Sequence, residues 1–252
     1  MIVLCPATMY RKTEASSIGD FLMNELGINI SDLRSEVEGN RELIKVFPRL
    51  RFKMDAKSAF SKLLLHYQRE VQSRKREFIL DENTIRVISA VAKQMTLPAP
   101  KQGLMLCGNQ GNGKTTLAKA IVAMCHTLDS DHHFGQKGDL YSVDSQIITA
   151  CEVANLSKEE NFPALRLLKN KPILVIDDCG EEPREILVYG TPVYPLRELL
   201  ESRYDCMRFT IITTNMPADE LPGHYGWRIM DRFCELFYSI AHTGPPYRTN
   251  EK

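Results

Sequence analysis

The chain has 252 residues, of which 43% are hydrophobic, and its 32 basic side chains balance 32 acidic ones. The length suits one domain of ordinary size plus a small appendage, and the apolar share is ample for a buried core. Zero net charge excludes a chain that holds nucleic acid through its overall field, and the lack of any long apolar run excludes a membrane-spanning helix.

The opening Met1-Ile2-Val3-Leu4-Cys5-Pro6 carries neither a basic leader nor a long apolar stretch. No signal peptide is expected, and the protein is expected in the cytoplasm. Cys5, Cys107, Cys125, Cys151, Cys179, Cys206 and Cys234 are scattered singly, with no Cys-x-x-Cys pair. Several sit in apolar runs, which argues for reduced core thiols rather than a zinc site or a disulfide framework.

In chain order, Ser16 to Gly27 predicts a short helix. Ile18, Phe21, Leu22 and Leu26 share a face, serine stands at the start and Gly27 at the stop. Residues 31–46 predict a second helix. A longer one is predicted from Asp55 to Arg76, where Phe60, Leu63, Leu64, Tyr67 and Val71 fall at helical spacing. Charge is uneven here: residues 1–40 hold three basic and six acidic side chains, whereas 41–76 hold eleven basic against Glu42, Asp55 and Glu70. Lys62, Arg69 and Arg76, seven apart, are expected on the face opposite the apolar stripe. They form either a solvated surface or a track for a phosphate backbone or acidic partner. Phe47, Phe52, Phe60 and Tyr67 interleave with these cations as single-strand-stacking aromatics would, although Phe60 and Tyr67 at helical spacing are more simply core.

Asp81 to Met95 predicts a further helix, after which Pro98 and Pro100 break the chain. The boundary is placed near residue 77, between a small helical N-terminal domain (1–76) and a nucleotide fold (77–252). His132-His133, flanked by Asp129-Ser130 and Gly135, reads as an exposed loop rather than a metal site. Apolar strands at 104–107, 139–143, 172–176, 208–213 and 237–242 alternate with helical patterns. That alternation predicts an α/β protein, a five-stranded parallel sheet between two helical layers, with its ligands at the carboxyl ends of the strands.

The strand at 104–107 runs into Gly108-Asn109-Gln110-Gly111-Asn112-Gly113-Lys114-Thr115, a complete phosphate-binding loop, and Thr116 to Met124 continues as a good helix. Glycines let backbone N–H groups curl around phosphate oxygens, and the helix aims its positive end at the anion. Gly108, Asn109, Gly111, Asn112, Gly113, Lys114, Thr115 and Thr116 are the expected nucleotide-binding positions. Lys114 would serve the β/γ-phosphates and Thr115 the Mg²⁺.

The strand 172–176 ends in Asp177-Asp178. An acidic residue at such a tip is where a Mg²⁺–nucleotide site needs a carboxylate, so Asp177 is expected to hold the metal opposite Thr115. Asp178 is expected to polarise the attacking water. Asn215, at the tip of 208–213, is expected to orient that water. Arg228 and Arg232 in Tyr225-Gly226-Trp227-Arg228-Ile229-Met230-Asp231-Arg232 would be like-charge neighbours on a helix, tolerable where an anion lies nearby. A nucleotide held by another subunit would be such an anion.

The ordered set of Gly108–Thr115, Ile173–Asp178, Gly180-Glu181-Glu182, Arg203-Tyr204, Thr213-Thr214-Asn215 and Tyr225-Gly226 to Arg232 resembles the DnaC-type helicase loaders of the AAA+ superfamily. That family is close to the transposition ATPase IstB and the initiator DnaA. The resemblance covers roughly residues 80–243 and rests on the combination rather than on any one motif. It implies Walker A roles for Lys114 and Thr115, Walker B roles for Asp177 and Asp178 with Asp178 the catalytic acid, and sensor 1 for Asn215. Arg232 is implied as an arginine finger acting in trans, ahead of Arg228. It implies ATP and Mg²⁺ as ligands, slow hydrolysis that depends on self-association, and a grip on a ring helicase through the N-terminal domain. Single-stranded DNA is implied as a partner of the ATPase module.

Many AAA+ proteins have Glu where this chain has Asp178, a difference shared with the initiator-like clade. After His242 come Thr243 to Lys252, a stretch too short for a helical lid, so no lid is expected. An IstB-like ATPase assisting a transposase shares the core motifs and differs through the partner that residues 1–76 select. A small-molecule kinase would need an acceptor pocket and an arginine-bearing lid, and residues 180–252 offer neither.

Overall fold

The structure, a computed structural model, describes Asn29 and residues 49–130, 144–244 and 246–247. The chain divides into two compact units, Met1–Phe47 and Pro48–Lys252. Apart from Asn29, the first lies outside the described residues, and with it the helices expected over 16–27 and 31–46. His132-His133 and the strand expected over 139–143 also lie outside them.

The second unit opens with an extended segment tied to residues 95–100. Phe52 N–H donates to the Met95 carbonyl at 2.7 Å and the Arg49 guanidinium to Pro100 O at 2.8 Å. Helix α1 (Ala56–Gln72) starts on Asp55, whose carboxylate accepts the N–H groups of Lys57 and Ser58. It stops four residues short of the expected end, because Ser73 closes the last turn and Lys75 takes a positive φ of 56°. Arg76 therefore lies beyond the helix rather than in line with Lys62 and Arg69. Helix α2 (Glu82–Thr96) starts on Asp81, which caps Thr84 N–H at 2.7 Å.

Five strands form one parallel sheet: β1 (Gly103–Gly108), β2 (Ser145–Thr149), β3 (Ile173–Cys179), β6 (Phe209–Thr214) and β7 (Phe237–His242), in the order β2-β3-β6-β1-β7. The predicted α/β class, with five parallel strands, holds. On the side away from β6, β3 pairs with Ser145–Thr149, a stretch not among the predicted strands. On an edge strand only Ile148 is buried, so the run lacks the apolar density of its neighbours. A short antiparallel hairpin, β4 (Ile186–Val188) and β5 (Thr191–Val193), was not predicted either, although Gly190 ends the two-residue turn between its apolar runs.

Alternation along the strands makes two cores from one sheet. Leu104, Leu106, Ile173, Val175, Phe209 and Ile211 face α1, α2 and α3 (Lys114–Ser130). Met105, Leu174, Ile176 and Ile212 face the other side. There α4 (Ala150–Lys158), α5 (Phe162–Asn170), α6 (Pro195–Asp205), α7 (Leu221–Tyr225) and α8 (Trp227–Leu236) cover the sheet. The result is three layers, α/β/α. Leu50, Phe52, Leu63 and Tyr67 are core residues of the first side, so this unit begins well before residue 77. Phe52 at 0% exposure and Tyr67 at 5% are correspondingly unable to stack on nucleic acid bases. No described helix is long and apolar enough to cross a membrane.

Candidate nucleotide site

From β1 the chain crosses over β6 and β3 to reach β2, so the strand order reverses beside β1, where parallel sheets hold ligands. The carboxyl ends of β1, β3 and β6 there open into a cavity of about 720 Å³.

The phosphate loop comes directly after β1. Gly108, Gly111 and Gly113 adopt φ of 144°, 82° and 94°, values that side chains resist. At Gly108 a Cβ would lie 2.2 Å from His242 O, and at Gly113 one would lie 2.5 Å from the Tyr67 hydroxyl. Lys114, only 5% exposed, donates to Gly108 O (2.7 Å), Asn109 O (2.8 Å), Asn112 Oδ1 (3.3 Å) and Asn215 Oδ1 (2.7 Å). Its ammonium is thus held where a phosphate oxygen could replace those acceptors. Gly111 to Thr116 line the cavity, whereas Gly108 and Asn109 act behind it through their carbonyls. Asn112 does more than a loop backbone need do: its amide donates to His242 O at 2.8 Å and pins the loop to β7.

Asp177, largely buried, accepts the Thr115 hydroxyl at 2.9 Å and the Thr213 hydroxyl at 2.6 Å on one oxygen, Oδ1. The pairing of β3 with β6 slips by one residue between Ile176 and Cys179, a bulge that contains both aspartates. Within it Asp178 takes φ 55°, an uncommon value for a side-chain-bearing residue, while its N–H donates to Thr213 Oγ1 at 2.9 Å. In a regular strand the two carboxylates would point to opposite faces. The bulge lets Asp178 line the cavity beside Lys114, Thr115 and Asn215 while Asp177 stays on Thr115. All six described cysteines are free thiols, and burial pushes the Cys107 thiol up to about 11 and Cys125 to about 12.

The far wall of the cavity was missed by sequence reasoning. Tyr67 and Val71 of α1, Arg74 to Ile79, Asp81, Pro246 and Tyr247 form it. Tyr247 N–H donates to Gly111 O at 3.0 Å and its hydroxyl to Asp81 Oδ2 at 2.7 Å, so this residue leans on both the loop and the start of α2. In the sequence Tyr67 is visible only as a helix core position, and no periodicity marks an isolated tyrosine such as Tyr247.

Arg232 does not line the cavity. Its guanidinium lies 3.7 Å from Glu201 and 3.9 Å from Asp205, over the Tyr204 ring at 4.9 Å, and Arg228 approaches the same Glu201 oxygen at 3.9 Å. The anion that relieves these neighbouring charges is therefore one of the chain's own carboxylates. The Arg228 side chain is 70% exposed against 21% for Arg232.

The residues present suit a Mg²⁺-bound nucleoside triphosphate. The loop glycines leave room for phosphate, Lys114 supplies the charge, and Thr115 with Asp177 offers two adjacent oxygens to a hard cation. Among the described residues no group of three or more His, Cys, Asp or Glu could hold a metal, so the cation would draw most other ligands from phosphate and water.

No model of a protein family and no curated protein matches this sequence. Among solved structures, the chain is similar to DnaI at 25% identity and a TM-score of 0.51, over 72% of this chain and 93% of that one. The DnaC helicase loader matches at 19% identity and a TM-score of 0.49, over 70% of this chain and 98% of its own. AMPPCP-bound DnaA from Aquifex aeolicus matches at 16% and 0.43, over 65% and 48%. The three-layer sheet, the phosphate loop and the likeness to DnaI together give this chain the fold of a DnaC-like AAA+ P-loop ATPase.

Proposed function

We propose that the chain binds and hydrolyses ATP with Mg²⁺, and that it uses this cycle to load a ring-shaped replicative helicase onto single-stranded DNA. The observation that carries the chemistry is the meeting of Lys114, the Thr115–Asp177 pair, Asp178 and Asn215 at one cavity. In this reading Lys114 and the loop N–H groups hold the β/γ-phosphates. Asn215, already within 2.7 Å of the Lys114 ammonium, orients a water toward the γ-phosphate. Asp178 accepts that water's proton as the water attacks. Bound Mg²⁺, held through Thr115 and Asp177, would neutralise charge on the phosphates.

The loader role is supported by the motif combination resembling DnaC-type loaders and by the likeness to DnaI. Residues 1–76 are the proposed docking region for the helicase, with 49–76 seated on the ATPase core. Hydrolysis is proposed to be slow and to require self-association, with Arg232 of one chain serving the nucleotide of the next. The expected setting is the cytoplasm.

An affinity pull-down from host lysate tests the role, with full-length Asp178→Asn as bait because it should hold ATP without hydrolysing it. Recovery of a replicative helicase is the expected result. Recovery of a transposase without a helicase would move the protein to the IstB-like class and leave the ATPase chemistry standing.

A further inference from the structure

Glu182 belongs to neither the phosphate loop nor the catalytic set, yet it is only 5% exposed. Its carboxyl oxygens accept from both sides. Gly180 N–H donates to Oε2 at 2.7 Å, while the Tyr225 hydroxyl (2.8 Å) and His224 Nε2 (3.1 Å) reach Oε1. Burial raises the Tyr225 pKa, so that hydroxyl stays a donor. Gly180 N–H and the Tyr225 hydroxyl donate, and His224 Nε2 does so in the tautomer that carries its proton there, a set of partners that suits a carboxyl group and no apolar side chain. A buried charge is a poor way to gain stability, since an apolar residue of similar size usually does as well. Its position argues for a different purpose.

The turn it grips is the one that sets Asp178. Asp178 has φ 55°, Glu181 N–H donates back to Asp178 O at 3.2 Å, and Gly180 has φ 100°. A Cβ on Gly180 would meet the Met216 methyl at 2.8 Å, so the turn also lies against the residue just after Asn215. On the other side, Tyr225 ends α7 and Gly226, with φ 85°, starts α8. One carboxylate thus joins the strained residue of the cavity to the junction from which α8 and its two arginines project.

We propose that Glu182 is the positioning residue for hydrolysis: by clamping the Gly180 turn to Tyr225 and His224 it holds the Asp178 carboxylate toward the cavity, and it ties that aim to the placement of α8. This inference rests on the ATPase reading. The strained φ at Asp178 costs energy that the surroundings must supply, and Glu182 is the side chain placed to supply it. A glutamine replaces one accepting oxygen with an NH₂: turned toward Gly180 it meets an N–H with a second donor, and turned the other way it requires Tyr225 and His224 to accept rather than donate.

The test measures steady-state ATP hydrolysis, equilibrium ATP binding and thermal midpoint for the full-length chain, Glu182→Gln and Tyr225→Phe. Tyr225→Phe removes one hydroxyl and keeps the ring against Phe233, so it guards against a Glu182 variant that fails to fold. The expected result is ATP affinity within about twofold of wild type and kcat lowered by between about 10- and 100-fold in Glu182→Gln, the cost of a misaimed catalytic group. Tyr225→Phe should show the same split more weakly. Wild-type kcat in a folded Glu182→Gln would overturn the inference. So would parallel losses of affinity, kcat and thermal midpoint in both variants, which would mark a merely structural knot. A wild-type chain that neither binds nor hydrolyses ATP would overturn the ATPase reading itself, and this inference with it.

Discussion

His242 sits beneath the phosphate loop, 3% exposed, with its carbonyl taken by Asn112. Burial, reinforced by Lys114 and Arg86 and only partly offset by the Asn112 carbonyl, holds its pKa down at about 4 against an ordinary 6.5. Above pH 6.5 the ring is neutral in folded and unfolded chains alike, and its contribution to stability is whole. As pH falls from 6.5 toward 4 the unfolded chain takes a proton that the fold refuses, so stability drops by up to about 3 kcal/mol and then levels off. Denaturant unfolding across that range should show the slope, and His242→Gln should flatten it. Beside it, Lys114 and Asp178 separate binding from chemistry. Lys114→Ala should weaken ATP binding on the order of 100-fold, about 3 kcal/mol for a charge-assisted set of contacts. Asp178→Asn should leave binding within a few-fold and lower turnover by about 10²-fold or more. Calorimetric titration beside a phosphate-release assay reads both; an Asp178→Asn chain turning over at the wild-type rate would remove that residue from its role.

Arg203 shows how an element is tied down. Its side chain is wholly buried in α6 and donates to Thr210 Oγ1 (2.9 Å), Leu168 O (2.7 Å), Lys171 O (2.8 Å) and Phe209 O (2.7 Å). One guanidinium thus joins α6, the end of α5 and the start of β6, which explains its place in the motif set without any contact to the nucleotide cavity. Arg203→Met should cost about 3–5 kcal/mol, because it removes four buried hydrogen bonds at once and leaves their acceptors without this donor. Guanidine melts would read the loss, and a shift under about 1 kcal/mol would mean the helix is held by its apolar face alone. Element boundaries were legible where periodicity and capping agreed, as for α2 on Asp81 and for β7. They slipped where a single residue decided the end, as at Ser73 and Lys75 of α1.

Across the molecule, the proposed trans arginine makes turnover a property of the assembly. Hydrolysis per chain should rise with protein concentration. Arg232→Ala should abolish it while keeping ATP affinity, and mixing Arg232→Ala with Lys114→Ala should restore part of the rate, since each lacks what the other offers. Failure of mixing to restore any activity would argue that Arg232 serves its own chain, where Glu201, Asp205 and Tyr204 already engage it.

What the sequence alone determined was local chemistry and period: the loop Gly108–Thr115, the alternation of apolar strands with helices, the Asp177-Asp178 tip and the Asn215 tip. Each is a short contiguous pattern whose physics is complete within a few residues. Tertiary structure decided whatever needed two distant segments. The bulge that aims Asp178 depends on the register of β3 against β6. The far wall of the cavity depends on Tyr67 meeting Gly113, and on Tyr247 meeting Asp81 across 166 residues. The grip of Glu182 depends on a partner 43 residues away. Such contacts leave no periodic trace in a single chain, because side-chain period records which face is buried and not what lies against it.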